Sequence, residues 1–355
     1  MPLIFSHYSM RKRLKVKRKV NNKLITADLH LIDGVREEYR WKIFPWLVEI
    51  GKREFCDSLY ILGDIGDRKD HHPGSFVNRL ISNFRLLLKV FKNIVVVKGN
   101  HDYDKDELTP FFDFISAIPN IQFVGEPTVI DGSLFLPHTR ARVRKWNSFN
   151  LDKYSYVYLH TTVLGAKIHD SGYTIKEGFS IGDFKSFKNT MFISGDIHIP
   201  QNMSSNFMYV GSPYPIRFGD EYQGRVLLIK DEKATSINYN SLRKHIWKIK
   251  VKADSDIRQQ LDKYKWNVGD YVKVEISLHP SEFHEYQGFR KYVSEFCKKN
   301  KLVLCSTEMK PIKSTRGTMR KTTTMRGVRA DSILKEFCKQ QKLSGEQLEI
   351  GKELL

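Results

Sequence analysis

Five runs of consecutive apolar residues alternate with helix-like stretches over the first two thirds of the chain. Such runs predict strands that are covered on both faces, because a half-exposed strand alternates apolar and polar residues. The runs span residues 24–27, 59–62, 94–97, 154–159 and 191–194. Between them, residues 41–55 and 76–91 carry apolar side chains at helical spacing. The pattern predicts an α/β fold over residues 23–238, with a layered sheet core and helices on both faces.

The pattern changes after another strand-like run at residues 226–230. Apolar and polar residues alternate over residues 246–251, which predicts an amphipathic strand. The periodicity then predicts a helix, a strand, a helix and a strand at residues 254–264, 271–276, 281–299 and 302–305. We therefore predict a second, small α/β domain over residues 239–308.

Three segments lack the pattern of a buried core. Residues 1–22 form a basic extension that fits either a nucleic-acid-binding arm or a solvated tail. Residues 309–330 are rich in Thr, Arg and Lys, a composition that favours a basic linker. Residues 331–355 regain helical spacing in two short stretches. Helices of this length are marginal alone in water, so we expect this tail to pack against its own chain or a partner.

Composition and charge narrow the function without deciding the fold. The chain of 355 residues is longer than the roughly 250 residues at which a single hydrophobic core stops growing, so we expect more than one domain. The 59 basic against 40 acidic residues give a net charge of +19, which favours a polyanionic partner such as nucleic acid. The four cysteines include no C-x-x-C pair, so reduced thiols in the cytoplasm are expected. No apolar run approaches the ~18 residues of a membrane span.

Potential metal ligands follow each of the five strand-like runs. The motifs are Asp28-Leu29-His30, Gly63-Asp64-Ile65-Gly66-Asp67, Gly99-Asn100-His101-Asp102, a single His160 and Gly195-Asp196-Ile197-His198. Each motif alone is more typical of a turn or of a satisfied structural histidine. Five in succession exceed what packing requires, and functional loops of open α/β sheets gather at the carboxyl ends of strands. The sequence therefore predicts a single metal site built from all five motifs.

The residue types suggest roles within this site. Asp28 and His30 are two positions apart, so an extended backbone places both on one side, and this ligand pair suits Mn²⁺, Fe²⁺ or Zn²⁺ better than Ca²⁺. Asp64 is the candidate bridging carboxylate, since its two oxygens can bind cations about 3.5–4 Å apart. His101 would stay unligated and assist the leaving oxygen, with the carboxylate of Asp67 orienting its ring.

The order of these motifs resembles that of the calcineurin-like metallophosphoesterases. Gly211-Ser212-Pro213 followed by Arg217-Phe218-Gly219-Asp220 is similar to the nuclease branch that contains bacterial SbcD and phage recombination endonuclease subunits. The resemblance implies a DNA nuclease that uses two divalent ions, with Mn²⁺ favoured and Mg²⁺, Fe²⁺ or Zn²⁺ as alternatives. It also implies that the small domain at residues 239–308 is a capping domain.

The resemblance further implies the ligands of each ion. The first ion would be held by Asp28, His30, Asp64 and His198. The second ion would be held by Asp64, Asn100, His160 and Asp196. His101 would be the catalytic histidine, and Asp67 its supporting partner. The family usually has a histidine where this chain has Asp196, and a carboxylate there should hold the second ion differently.

Partners and location follow from the same resemblance. It implies the nuclease subunit of an SbcCD-like DNA repair and recombination complex, in which residues 331–355 bind an SbcC-like coiled-coil ATPase. A homodimer is a family expectation. The location would be the cytoplasm, or the host cytoplasm for a phage-encoded chain. The basic residues that follow the second motif would either contact DNA phosphates or form a solvated loop; they are Arg68, Lys69, His71 and His72.

Two other functions remain open from the sequence. One is a phosphatase or phosphodiesterase that acts on a small or protein phosphoester, in which the charge only aids solubility. The other is a DNA-binding scaffold subunit whose site, altered at Asp196, turns over weakly or not at all.

Overall fold

A computed structural model describes residues 22–69, 71–103, 110–139, 149–168, 172–251 and 257–312. The N-terminal extension and the C-terminal tail lie outside these residues, and the basic linker is described only as far as residue 312. Within the described ranges, no helix is long and apolar enough to cross a membrane.

The first sheet has six strands in the spatial order β12-β11-β1-β2-β3-β4. Its strands are β1 (Asn22–Thr26), β2 (Cys56–Leu62), β3 (Asn93–Val97), β4 (Ile121–Val124), β11 (Arg225–Lys230) and β12 (Lys233–Asn238). The four strands from β1 to β4 run parallel, whereas β11 is antiparallel to both β1 and β12. The carboxyl ends of β1, β2 and β3 therefore lie side by side.

The second sheet also has six strands, in the order β5-β6-β7-β8-β10-β9. Its strands are β5 (Thr128–Ile130), β6 (Ser133–Leu136), β7 (Tyr156–His160), β8 (Met191–Gly195), β9 (Gln201–Ser204) and β10 (Phe207–Tyr209). The neighbours from β6 to β10 are parallel, and β5 and β9 are antiparallel edge strands.

The two sheets pack face to face, with helices outside them. Alternate residues of each strand face opposite sides, so Ile25 packs between the sheets while its neighbour Leu24 packs under the helices. The first sheet is covered by α1 (Glu38–Trp41), α2 (Ile43–Arg53) and α3 (Gly74–Leu87). The second sheet is covered by α4 (Gly182–Lys185) and long loops. The predicted layered α/β core is confirmed.

The small domain is a three-stranded sheet backed by helices. Its elements are β13 (Lys244–Lys250), α5 (Ile257–Leu261), β14 (Tyr271–Leu278), a 3-10 turn (Pro280–Glu285), α6 (Tyr286–Lys299) and β15 (Val303–Pro311). Its apolar cluster includes the fully buried Trp247. The ring of Tyr271 lies 5.9 Å from that of Tyr39. The Nζ atom of Lys244 lies 3.5 Å from the carboxylate of Glu37, so the small domain packs on the segment that precedes α2.

The strands and helices predicted for residues 23–308 are present, whereas the helical tail at residues 331–355 lies outside the described residues. Several other elements carried too little pattern to be predicted. The strands β4, β5, β6, β9 and β10 have only three or four residues each. β12 is largely exposed at the edge of the first sheet, so few of its residues need to be apolar and no clear strand pattern results.

Candidate metal centre

The motif-bearing turns meet because they are hydrogen-bonded to one another across the strand ends. The backbone N–H of Asp28 donates to the carbonyl of Gly63 at 3.0 Å, and the N–H of His30 donates to the carbonyl of Asp64 at 2.9 Å. The N–H of Asp196 donates to the Asp28 carboxylate at 3.0 Å. The turns after β1 and β2 are thus joined backbone to backbone, and the turn after β8 is joined to the first through the Asp28 side chain.

Four of these residues have positive φ angles, which side-chain-bearing residues rarely adopt. The φ angles are 52° for Asp28, 42° for His30, 56° for Asp64 and 89° for Asp196. Such conformations cost on the order of 1–3 kcal/mol each and persist where the surroundings hold them, commonly at functional sites. These backbone conformations direct the four side chains into a shared space beyond the strand ends.

The first group of ligands comprises Asp28, His30, Asp64 and His198. The Nε2 atoms of His30 and His198 lie 3.0 Å apart, and Asp64 Oδ2 lies 3.4 Å from His30 Nε2. Asp28 Oδ2 is buried, and no donor among the described residues reaches it. A buried carboxylate oxygen without a donor fits a cation, because burying an unpaired charge is otherwise costly.

The second group comprises Asp64, Asn100, His160 and Asp196. His160 Nε2 lies 2.9 Å from the side-chain oxygen of Asn100, 3.6 Å from Asp64 Oδ1 and 3.7 Å from Asp196 Oδ1. Its Nδ1 faces the carbonyl of Leu62 at 2.8 Å. A carbonyl only accepts, so Nδ1 carries a proton and Nε2 is the nitrogen that would bind a cation among these oxygens.

Asp64 belongs to both groups, with one carboxylate oxygen facing each. Its Oδ2 faces His30 and its Oδ1 faces His160. Four of the ligand candidates are buried and the other three are half-buried at the mouth of the site. Together they supply carboxylates, an amide and imidazoles, a donor set that fits two divalent cations.

The pKa shifts of the ligand candidates also fit a site that binds cations. Burial, and secondarily the carboxylates of Asp64 and Asp196, raise the pKa of Asp28 to about 7. Burial alone would lower the pKa of His160, but the nearby carboxylates outweigh it and raise this pKa to about 9. Burial, followed by the neighbouring His30, lowers the pKa of His198 to about 3. Bound cations would offset the crowding of these carboxylates.

Comparison with known protein families identifies the chain. The profile described as calcineurin-like phosphoesterase matches residues 23–200, which is half of the sequence. The chain belongs to the calcineurin-like phosphoesterases. It is therefore a metal-dependent phosphoester hydrolase, of a family that uses a dinuclear metal centre, and the two ligand groups are the candidates for that centre.

Three of the solved structures that are similar to this phosphoesterase illustrate the range of its neighbours. Nuclease MPE of Pseudomonas putida is 15% identical, with a TM-score of 0.29, covering 61% of this chain and 87% of that one. A dimetal phosphatase from Danio rerio is 12% identical, with a TM-score of 0.34, covering 62% and 99%. GAP50 of Plasmodium, described as the anchor in the inner membrane complex, is 10% identical, with a TM-score of 0.39, covering 68% and 93%. Comparison with curated proteins gives no match.

His101 lies at the edge of the phosphoesterase site. Its Nδ1 lies 2.8 Å from the backbone carbonyl oxygen of Asp67, and its N–H donates to Asp64 Oδ1 at 2.9 Å. The expectation that the Asp67 carboxylate orients this ring is corrected, because that carboxylate faces His30 at 3.5 Å and Arg40 at 3.5 Å instead. His101 also lies close enough to His30 and Asp64 for the three side chains to bind one ion.

The basic residues after the second motif divide between surface and interior. Arg68 and His71 are exposed, and Lys69 is half-buried with its Nζ 5.5 Å from the ring of Tyr103. These three remain candidates for phosphate contact.

His72 instead packs in an aromatic cluster. Its ring lies 4.4 Å from that of Phe76 and 4.6 Å from that of Phe111, and burial lowers its pKa. The phosphate contact of His72 stays a prediction, although its packed ring offers less surface to an anion than the exposed Arg68 and His71.

Sequence reasoning missed four residues of the site. Asp102 accepts three backbone N–H bonds that join the second and third motif turns. Buried Arg40 donates to the carbonyl of His30. Arg217 and Thr162 line a 450 Å³ pocket, whose lining also includes five of the ligand candidates: His30, Asp64, Asn100, Asp196 and His198. The G-N-H-D and R-F-G-D motifs contain Asp102 and Arg217, but no sequence signal distinguished Arg40 or Thr162.

Proposed function

We propose that this phosphoesterase is a nuclease that hydrolyses phosphodiester bonds in DNA. The observation that carries the proposal is the position of Asp64, whose two oxygens each face a different ligand group. A carboxylate shared in this way fits two ions close enough to act on one phosphoryl group.

The electrostatics of the chain support a polyanionic substrate. The net charge is +19. Arg217 is exposed at the rim of the 450 Å³ pocket, close enough to His198 to lower the pKa of that residue. Among the described residues, its guanidinium has no hydrogen-bond or ion-pair partner. Arg217 is therefore free to contact a phosphate beside the scissile bond.

The turn that carries Arg217 is held by several hydrogen bonds, which suits a binding role. The carboxylate of Asp220 accepts the backbone N–H groups of Ile216 at 3.0 Å and Arg217 at 2.7 Å. Gly219 N–H donates to the carbonyl of Lys244 in the small domain at 2.8 Å. The small domain thus helps to hold the Arg217 turn at the mouth of the site.

The residues divide the chemistry between them. Two divalent ions held by the two ligand groups, Mn²⁺ being our choice, would supply the charge that polarises the phosphate and activates water. His101 keeps its Nδ1 proton on the carbonyl of Asp67, so Nε2 is the atom that would take up a proton from solvent and, in the imidazolium form, give it to the leaving oxygen. Arg217 binds and orients the substrate. Arg40 donates a hydrogen bond to the carbonyl of His30 and so holds the turn that carries this ligand.

A single assay series tests the proposal. Protein stripped of metal and resupplied with Mn²⁺ is incubated with linear DNA, circular DNA, bis-p-nitrophenyl phosphate and p-nitrophenyl phosphate. We expect cleavage of DNA and of the diester, with little action on the monoester. Hydrolysis of the monoester alone would indicate a phosphatase. DNA binding without hydrolysis of any substrate would indicate a scaffold subunit.

We also propose that residues 331–355, which lie outside the described residues, bind an SbcC-like coiled-coil ATPase. The support is the helical spacing of apolar residues in a segment too short to be stable alone. Deletion of this tail should abolish co-purification with the ATPase and leave diester hydrolysis intact. Undiminished association would remove the proposal.

A further inference from the structure

The two carboxylate oxygens of Asp196 have different surroundings. Oδ2 accepts a hydrogen bond from the hydroxyl of Thr162 at 2.6 Å. Oδ1 lies 3.7 Å from His160 Nε2, on the side of the second ligand group. The backbone N–H of Asp196 is bound to Asp28. Hydrogen bonds therefore hold both the backbone and the Oδ2 atom of Asp196, and the Oδ1 atom is left to face the second group.

Thr162 is itself held firmly. Its carbonyl accepts the N–H of Phe179 at 3.0 Å. A Cβ at Gly178 would lie 2.5 Å from the same carbonyl oxygen, so the chain at this position packs directly on the Thr162 backbone. The hydroxyl that binds Asp196 is thus carried by a well-packed segment.

The two ligand groups consequently differ in chemistry. The first offers carboxylate oxygens of Asp28 and Asp64 together with two imidazoles, His30 and His198. The second offers oxygens of Asp64, Asn100 and Asp196 with a single imidazole, His160. Oxygen donors suit Mg²⁺ and Mn²⁺, whereas imidazole suits Zn²⁺ and other softer ions.

We propose that Asp196, held by Thr162, makes the second ion position prefer Mn²⁺ or Mg²⁺ over Zn²⁺ relative to the first position. Thr162 is a positioning residue for this preference, because its hydrogen bond keeps Oδ2 occupied and Oδ1 directed at the second group. The inference rests on the dinuclear centre of the proposed function and assigns the two positions different ions.

The test is a metal competition on the full chain. Protein stripped with a chelator is equilibrated with Mn²⁺ and Zn²⁺ over a range of ratios. Bound ions are counted by mass spectrometry, and bound Mn²⁺ is followed by electron paramagnetic resonance. The variants are Asp196→His, Thr162→Val and Thr162→Ser, with Thr235→Val as the control, because Thr235 is an exposed threonine on the distant edge strand β12.

The expected results distinguish the residues. Asp196→His should raise the Zn²⁺ to Mn²⁺ affinity ratio of one position about tenfold or more. Thr162→Val should weaken Mn²⁺ binding at one position by about 10–100-fold, as loss of a hydrogen bond to a ligand commonly does. Thr162→Ser keeps the hydroxyl and should bind like the unaltered chain, as should Thr235→Val. Thermal unfolding of each stripped variant reports whether it folds.

Two results would overturn the inference. An unchanged Zn²⁺ to Mn²⁺ ratio in Asp196→His would remove the preference, and wild-type Mn²⁺ affinity in Thr162→Val would remove the positioning role. In both cases the centre still binds two ions, so the proposed function stands. Uptake of no ions by the unaltered chain would instead overturn the dinuclear centre and this inference with it.

Discussion

The Nδ1 atom of His101 lies 2.8 Å from the backbone carbonyl oxygen of Asp67, so a main-chain atom sets the orientation and tautomer of the ring. Because a carbonyl only accepts, the proton sits on Nδ1. Substitution of the Asp67 side chain should therefore leave this hydrogen bond intact. His101 and Asp67 then become separable by mutation.

For His101→Ala we expect bound metal to be retained and diester hydrolysis to fall by about 10²–10⁴-fold, the usual contribution of a general acid. Metal content and turnover are measured on the same preparation. His284→Ala is the matched control, since His284 is exposed in the small domain. Loss of one ion together with activity would assign His101 to ligation.

For Asp67→Ala we expect metal affinity to suffer, because the Asp67 carboxylate lies 3.5 Å from Nδ1 of the ligand candidate His30. The loss should be about 10–100-fold in affinity, and activity should recover at high metal concentration. Isothermal titration with Mn²⁺ measures it, with the exposed Asp152→Ala as control. An activity loss that excess metal does not restore would contradict this role.

Asp102→Ala should destabilise the fold around the site. The Asp102 carboxylate accepts the N–H groups of Asp64, Ile65 and Gly99 at 2.7, 2.9 and 2.7 Å. Each buried N–H left without an acceptor costs about 1–3 kcal/mol. Chemical denaturation of metal-free protein should show a clearly lower unfolding free energy, whereas Asp113→Ala, which alters an exposed aspartate, should not. Equal unfolding free energies of the two variants would show that the hydrogen bonds of Asp102 do not stabilise the two turns.

Arg217→Ala should weaken DNA binding while leaving metal content unchanged. If the guanidinium contacts one phosphate, the slope of log affinity against log salt should decrease by about 1. Fluorescence anisotropy with labelled DNA in chelator separates binding from cleavage. Arg290→Ala serves as control, because Arg290 is exposed on α6. An identical salt slope in both variants would show that Arg217 makes no phosphate contact.

Much of the framework was predictable because local burial shapes the sequence directly. The strands β1, β2, β3, β7 and β8 are covered on both faces, so each is a continuous apolar run that stands out from its surroundings. The residues that follow them are conspicuous because a turn at a buried strand end seldom needs both Asp and His. The edge strands β5 and β12 were not predicted, because β5 has only three residues and β12 is largely exposed.

The arrangement within the site was decided by tertiary structure. Asp196 binds Asp28 across 168 positions of chain, and His160 meets Asn100 across 60. No local pattern records which oxygen of Asp64 faces which histidine.

The correction at Asp67 and the residues missed in the sequence have the same physical origin, which is contact between distant parts of the chain. Sequence alone determined that carboxylates, an amide and imidazoles would stand at the ends of buried strands, because burial and residue chemistry are local properties. Only the folded chain decided that the carbonyl of Asp67 holds His101, that His72 packs among aromatic rings and that Thr162 holds Asp196. Those contacts depend on which distant backbone and side-chain atoms the packing of the two sheets brings within hydrogen-bonding distance.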